Sequence, residues 1–261
     1  RSPGCIVTDS KMNSFSKVQQ SFRRSLGNYH QNALIQQGIA VELVALLAAA
    51  TPQRQFNSVF EFGAGTGFLT QSLLKAFTIK ALTLNDIVSE SRDGLFASAA
   101  DQVESLNFIE GAIETCELPA NQDLIASAPV VQWIGDHHAL LARLTQQLNA
   151  GGWLAMSGFG HDHFHELRAL GSEAAAPGYR DADEWEDLLP DGLELVHAHQ
   201  DRHVLYFDTA LDLLRHLRDT GVNALANQSW SRRRLTQFEA DYRSRFCVDG
   251  KLTLTYCPVW V

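Results

Sequence analysis

Ser58-Val-Phe-Glu-Phe-Gly-Ala-Gly-Thr-Gly-Phe-Leu-Thr-Gln-Ser-Leu-Leu74 decides the reading of this chain. An apolar run, Val59 to Phe62, enters a glycine-rich turn, and an amphipathic run leaves it. That order predicts a strand, a tight loop and a helix, whose backbone N–H groups and helix N-terminus can approach a ligand closely. A second apolar run, Ala81 to Leu84, ends at Asn85-Asp86, where an acid on the next strand tip can accept bonds from a ribose diol. The letters argue against two other loop classes. A phosphate-binding P-loop needs Gly-Lys-Ser/Thr at its end, and here Gly67 is followed by Phe68 and Leu69. A dinucleotide loop reads Gly-x-Gly-x-x-Gly, whereas Gly63, Gly65 and Gly67 stand at every second position. No Lys or Arg lies between 55 and 74 to hold a pyrophosphate.

The pattern Glu61-x-Gly63-x-Gly65-x-Gly67 with Asp86 resembles the first motif of class I S-adenosylmethionine-dependent methyltransferases. That resemblance implies a loop that takes the amino-acid moiety of the cofactor and an acid that takes its ribose. It implies cofactor contacts at Tyr29, Glu61, Gly63, Ala64, Gly65, Gly67, Asp86, Ile87, Ala112, Ile113 and Ser127.

Composition agrees with an ordinary packed core, in one α/β domain with additions or in two small domains. The chain has 261 residues, and 45% are hydrophobic, enough for one α/β core with additions. No apolar run approaches the ~20 residues of a membrane span, and no signal peptide is visible. Cys5, Cys116, Cys247 and Cys257 are widely spaced, which argues against a disulfide scaffold or zinc site and fits a reducing cytoplasm. The net charge of −9 argues against general nucleic-acid affinity. Basic residues cluster locally at Arg23-Arg24, at Arg215 and Arg218, and at Arg232-Arg233-Arg234.

Periodicity predicts a tail over 1–13 and N-terminal helices over 14–50. A cofactor-binding core of alternating strands and helices follows over 57–157, with strands at 57–62, 80–85, 107–110, 123–127 and 153–157. A helix over 136–148 is expected to stop at Gly151-Gly152. Short helices are expected at 161–171 and 181–189. Leu193 to Phe207 reads as one long strand and Leu252 to Val261 as a terminal one, with a helical lid over 208–246 between them. The predicted architecture is a doubly wound, mostly parallel seven-stranded sheet, Rossmann-like, whose ligands bind beyond the carboxyl ends of the strands.

Further segments resemble one branch, the malonyl-[acyl-carrier protein] O-methyltransferases of biotin synthesis. They are Phe22-Arg-Arg-Ser-Leu-Gly-Asn-Tyr29, Val131-Gln132-Trp133, His165-Glu166-Leu167-Arg168, the stretch from Tyr206 to Asn223 and Leu252-Thr-Leu-Thr-Tyr256. The branch usually carries Gly-Asp-x-Glu after its third strand. Here the segment is Gly111-Ala112-Ile113-Glu114, so the adenine would rest on backbone near Ile113 and on apolar packing. The resemblance implies methyl transfer to the free carboxylate of a malonyl thioester on acyl carrier protein, or on coenzyme A. A carboxylate is ionised at neutral pH and needs no general base, so orientation and removal of water are the protein's task. Tyr29, Gln132, Trp133 and Arg218 are the substrate-binding candidates, Arg218 as the cation for the malonyl carboxylate. Arg23, Arg24, Arg232, Arg233 and Arg234 are candidates for docking the acidic carrier.

Histidines raise a metal alternative. His161, Asp162, His163 and His165 are close in sequence, and His197, His199 and His203 fall on one face of the expected long strand. Neither set has the spacing of a zinc motif, and the reaction needs no metal. Three competing readings are a methyltransferase for a free small carboxylic acid, a non-catalytic S-adenosylmethionine-binding protein and a dinucleotide oxidoreductase. The glycine spacing and the lack of a Tyr-x-x-x-Lys pair disfavour the last.

Overall fold

A computed structural model describes residues 32–172, 176–219 and 231–261. The predicted first helix, Tyr29, Arg23, Arg24, the tail and Gly221 to Asn223 lie outside the described residues.

Helix α1 (Asn32–Ala50) precedes β1 (Gln55–Phe62), α2 (Phe68–Ala76), β2 (Thr78–Asp86), α3 (Ser91–Ala99), β3 (Ser105–Glu110), β4 (Gln122–Ser127), α4 (His137–Thr145) and β5 (Leu148–Phe159). The five strands pair in parallel in the order β3-β2-β1-β4-β5. Their near-continuous apolar runs reflect burial on both faces. One face packs Val59, Leu82, Leu84 and Leu124 against Leu43, Leu47, Leu69 and Leu73 of α1 and α2. The other packs Phe60, Phe62, Ile125 and Met156 against Leu140, Leu141 and Leu144 of α4.

The sequence reading misplaces the Gly151-Gly152 stop. Helix α4 ends at Thr145, and both glycines lie inside β5. There the register against β4 shifts between Gln122 and Leu124. Gly151 adopts φ +75°, and a Cβ on Gly152 would lie 2.9 Å from the Asn149 carbonyl. The pair accommodates a bulge rather than capping a helix.

Beyond β5 the chain builds more than closing strands. Helix α5 (His165–Ala169) is much shorter than the expected 161–171, and 181–189 forms only two 3-10 turns. The expected strand over 193–207 is two strands, β6 (His199–Gln200) and β7 (His203–Phe207), in different sheets. The terminal strand divides likewise, after β8 (Cys247–Val248), into β9 (Lys251–Tyr256) and β10 (Pro258–Trp260). β10 inserts antiparallel between β5 and β6, completing the seven-stranded sheet, while β7, β9 and β8 form a separate antiparallel sheet. The chain changes sheets at Cys257. Its carbonyl accepts from Gly160 N–H at 2.8 Å, and its N–H reaches His163 Nδ1 at 3.4 Å. Pro258 has no N–H with which to continue a ladder.

Helices α6 (Ala210–Asp219) and α7 (Arg232–Phe246) pack on this second sheet through Ala210, Leu213, Leu217 and Tyr242 against Leu252 and Leu254. Tyr242 Oη donates to the Thr253 carbonyl at 2.6 Å. His216 pairs with Tyr256 Oη at 2.8 Å.

Candidate active site

The parallel strands end together, so their carboxyl ends bring Gly63–Gly67, Asp86 and the 127–133 segment to one edge. Gly63, Gly65 and Gly67 adopt φ values of +64°, +52° and +83°, all in the left-handed region that glycine enters without steric cost. The missing side chain at Gly63 is a second requirement: a Cβ there would stand 2.3 Å from Val130 Cγ2. Ala64 N–H donates to the Asn85 carbonyl at 2.9 Å, and Gly67 N–H closes the turn on the Ala64 carbonyl at 2.8 Å.

Two acids flank this loop, and both are buried. Glu61 is 1% exposed and accepts a 2.7 Å bond from Thr70 Oγ1 in the first turn of α2. Burial pushes its carboxyl up to about 8, against the Thr70 bonds that lower it. Asp86 is the last residue of β2, at the strand tip, and is 7% exposed. Its Oδ2 accepts from Gly65 N–H at 2.7 Å and its Oδ1 from Val88 N–H at 2.8 Å. Burial raises the Asp86 carboxyl too, and the Val88, Gly65 and Ile87 backbone donors oppose the rise. Asp86 therefore fixes the loop, its carboxylate oxygens retain further lone pairs, and half-buried Ile87 adjoins it.

After β3, Ala112 accepts backbone bonds from Thr115 and Cys116 through its carbonyl. The Ile113 side chain is buried in the core. Two residues that the sequence reading passed over hold this segment. Arg143 of α4 donates to the carbonyls of Ile113 at 2.5 Å and Cys116 at 2.7 Å. Asn85 Nδ2 donates to the carbonyls of Ile109 and Gly111, each at 2.9 Å. An arginine next to the apolar Leu140, Leu141 and Leu144 of α4, and an amide beside the strand-end acid, were the available signals.

Ser127 Oγ donates to the Phe62 carbonyl at 2.9 Å, tying β4 to β1. The turn after it is a 3-10 turn over Val131–Trp133. Gln132 is 4% exposed, and its Nε2 donates to the Pro129 carbonyl at 3.1 Å. Its Oε1 has no hydrogen-bond partner among the described residues. Gly178 N–H donates to the Gln132 carbonyl at 2.8 Å, so the 176–180 segment backs this turn. Trp133 is half-buried. Arg218 is exposed on α6, in the layer built on the second sheet. The structure thus joins Glu61, Gly63, Gly65, Asp86 and Ser127 into one edge, with the Gln132 turn reaching Gly63 through Val130. A cavity of about 340 Å³ lies elsewhere, bounded by α1, β5 and the 189–197 segment, and contains none of these residues.

The histidines separate. His163 is 1% exposed, stacked on Phe159 at 3.7 Å and Phe164 at 3.8 Å. Burial, with the nearby Arg168 charge, holds its imidazole well below the ordinary value, so it is a neutral core residue. His199 stacks on Trp260 in the main sheet while His203 lies in the second sheet, so the expected one-strand face does not exist. His161 pairs with Glu184 at 2.7 Å, and Asp181 accepts from His161 N–H and Gln200 Nε2.

Comparisons with known proteins agree with this geometry. A family described as a methyltransferase domain matches residues 60–156. A malonyl-[acyl-carrier protein] O-methyltransferase of Chlorobium phaeovibrioides is 35% identical over 245 residues, spanning 93% of this chain and 94% of the relative. The protein of that name from Haemophilus influenzae is 34% identical over 246 residues, spanning 94% and 92%. Among solved structures, YjhP from E. coli aligns with a TM-score of 0.54 at 13% identity, over 93% of this chain and 99% of that one. The N-methyltransferase NodS of Bradyrhizobium japonicum, solved with S-adenosyl-L-homocysteine, aligns with a TM-score of 0.53 at 18% identity, over 70% and 90%. These two share the fold.

Proposed function

The chain belongs to the malonyl-[acyl-carrier protein] O-methyltransferase family, and from that premise we propose that it methylates the free carboxylate of a malonyl thioester on acyl carrier protein. S-adenosylmethionine, when bound, supplies the methyl group on a sulfonium. The ester formed would mask the malonyl charge for pimeloyl and biotin synthesis. The observation that carries this reading is a kinship spanning almost the whole chain, the 206–219 segment and the Gln132 turn included, not the cofactor loop alone.

The residues present fit that cofactor. Gly63, Gly65 and Gly67 leave three loop positions without side chains, and the Glu61 and Asp86 carboxyls offer acceptor oxygens for an ammonium and a ribose diol. Ala64, Ile87, Ala112, Ile113, Ser127 and Tyr29 complete the proposed cofactor site. Gln132, Trp133 and Tyr29 line the acceptor pocket in this reading, and Arg218 meets the malonyl carboxylate. No proton need move, because the acceptor is already an anion; the protein orients it and excludes water. The 208–246 helices serve as a lid.

For the carrier we assign Arg232, Arg233 and Arg234, with Arg23 and Arg24. The first three are exposed at the start of α7, which Ser231 caps. Cations at a helix N-terminus oppose the helix dipole, so helix stability does not explain them, whereas an acidic partner does. We place the enzyme in the cytoplasm. Among the described residues no helix is long and apolar enough to cross a membrane, and Cys116, Cys247 and Cys257 are free thiols.

The test is methyl transfer from S-adenosylmethionine to malonyl-carrier protein, with malonyl-CoA, acetyl-carrier protein and free malonate as comparisons. Selective formation of the malonyl-carrier methyl ester is expected. Equal transfer to free malonate would instead establish a small-acid methyltransferase. Charge reversal at Arg232 to Arg234 is expected to weaken transfer to the carrier at low salt and leave transfer to malonyl-CoA intact.

A further inference from the structure

His137 is the first residue of α4, and its side chain turns back onto the loop before the helix. Asp136 caps that helix, accepting from Ala139 N–H at 2.9 Å, which anchors the first turn. The imidazole belongs to a residue only 2% exposed. Its Nε2 lies 2.8 Å from the Val131 carbonyl. A carbonyl can only accept, so Nε2 carries the proton and donates. Burial lowers the imidazole from its ordinary value, so the ring is neutral at pH 7 and Nδ1 is bare. Among the described residues Nδ1 has no hydrogen-bond partner. The ring packs on Trp185, with centroids 5.0 Å apart.

Val131 opens the 3-10 turn that carries Gln132 and Trp133. Its carbonyl already accepts from Ile134 N–H at 3.0 Å, the bond that such a turn requires. The imidazole takes the second lone pair of a carbonyl that is already satisfied. An apolar side chain of similar size would pack on Trp185 as well, so packing alone does not account for a histidine here. What the second bond adds is direction. It ties the turn to α4, which is seated in the core through Leu140, Leu141 and Leu144. Gly178 backs the turn independently: its N–H donates to the Gln132 carbonyl at 2.8 Å, and a Cβ there would lie 2.3 Å from the Ile134 carbonyl. Helix α4 also braces the Ile113 to Cys116 segment through Arg143, so its two polar braces reach different loops. We propose that His137 is a positioning residue for methyl transfer, holding through the Val131 carbonyl the turn that presents Gln132 and Trp133 to the acceptor. The inference rests on the acceptor pocket proposed above. No proton transfer is involved.

The experiment compares variants of the full chain. His137→Leu fills the site without a donor. His137→Asn places an amide near the Nδ1 position, short of Val131, whereas His137→Gln carries its amide nitrogen to where Nε2 stands. Saturated turnover of malonyl-carrier protein is expected to fall about tenfold in His137→Leu and His137→Asn and to recover in His137→Gln. The dissociation constant of S-adenosylmethionine is expected to stay within about twofold throughout. The urea midpoint of His137→Leu should stay near that of the unaltered chain, because the Val131 carbonyl keeps its bond from Ile134. Exchange of the Trp133 and Ile134 amides, which close on Val130 and Val131, should quicken about tenfold in His137→Leu and His137→Asn. Unchanged turnover in those two, or a His137→Gln chain no better than His137→Leu, would overturn the proposal. So would losses of cofactor affinity and midpoint that match the loss of turnover, the mark of a merely structural role. Should His137→Leu fail to fold, His137→Asn and His137→Gln decide between them. If the unaltered chain transfers nothing to malonyl-carrier protein, the substrate reading fails. Amide exchange then decides the positioning by itself, and unchanged rates overturn it.

Discussion

The turn over Gly63–Gly67 and the sheet change at Cys257 are both sharp backbone events, but they are built over different distances. The first closes on itself: Gly67 N–H meets the Ala64 carbonyl, and Asp86 on the very next strand receives Gly65 N–H. The second is held by residues far away in sequence. Cys257 meets Gly160 and His163, Thr255 meets Glu166, and Trp260 Nε1 donates to the Ile39 carbonyl. The first region is a local device in which each residue's type has a local reason. The second is a clasp whose residues make sense only in company.

The sharpest way to break that contrast is Gly63→Val. The left-handed backbone there costs a β-branched residue roughly 1–2 kcal/mol, and the overlap with Val130 adds about 1–3 kcal/mol. Cofactor binding should be lost and the urea midpoint lowered. Val130→Ala in the same chain should recover part of the stability, because the obstruction is a single side chain.

Glu166→Gln probes the clasp. Glu166 is fully buried, and both its oxygens accept from Thr255, at 3.1 Å from N–H and 2.6 Å from Oγ1. An amide turns one acceptor into a donor, so the loss should be about 1.5–3 kcal/mol of unfolding free energy. Cofactor affinity should be unchanged, which calorimetry on the folded variant would check. A large loss of affinity would show that the two regions are coupled after all.

Arg143→Ala removes both bonds that hold the Ile113 to Cys116 segment. We expect roughly tenfold weaker cofactor binding, about 1.4 kcal/mol, measured by titration. The effect belongs to the first region, although the arginine comes from α4.

The smallest effect is one of pH, and the two regions should respond with opposite sign. His163 has a folded value well below 6.5, so the unfolded chain binds the extra proton and the clasp loses stability as pH falls below about 6.5. Glu61 has a folded value of about 8, so the folded chain binds the extra proton between 4.5 and 8. Its contribution declines as pH rises through that window. Hydrogen exchange resolved along the chain, compared near pH 6 and pH 8, should show the opening of β1 easing at the higher pH and that of β9 at the lower.

Legibility followed the same division. The strands and helices over 55–145 were readable because parallel strands buried on both faces are continuous apolar runs, and glycine at a left-handed turn is close to obligatory. The pattern also pointed to Glu61, Gly63, Gly65 and Asp86, which the structure gathers at one edge. It did not show that Asp86 would already be bonded to the loop, or that Arg143 and Asn85 would brace the segment around Ala112. Both depend on carbonyls whose direction is fixed by neighbouring strands. Gly151-Gly152 misled because the same dipeptide serves a helix stop and a strand bulge, and the pairing with β4 decides between them.

By itself, the sequence determined the doubly wound core, the glycine loop and the family, since these depend on residue type and short-range order. Only the tertiary structure decided that both long C-terminal apolar runs divide between two sheets, that His163 is a stacked, neutral core residue, and that Glu61 is almost fully buried against Thr70. Each of these is a matter of burial and partners contributed from distant parts of the chain, and a linear pattern carries no measure of either.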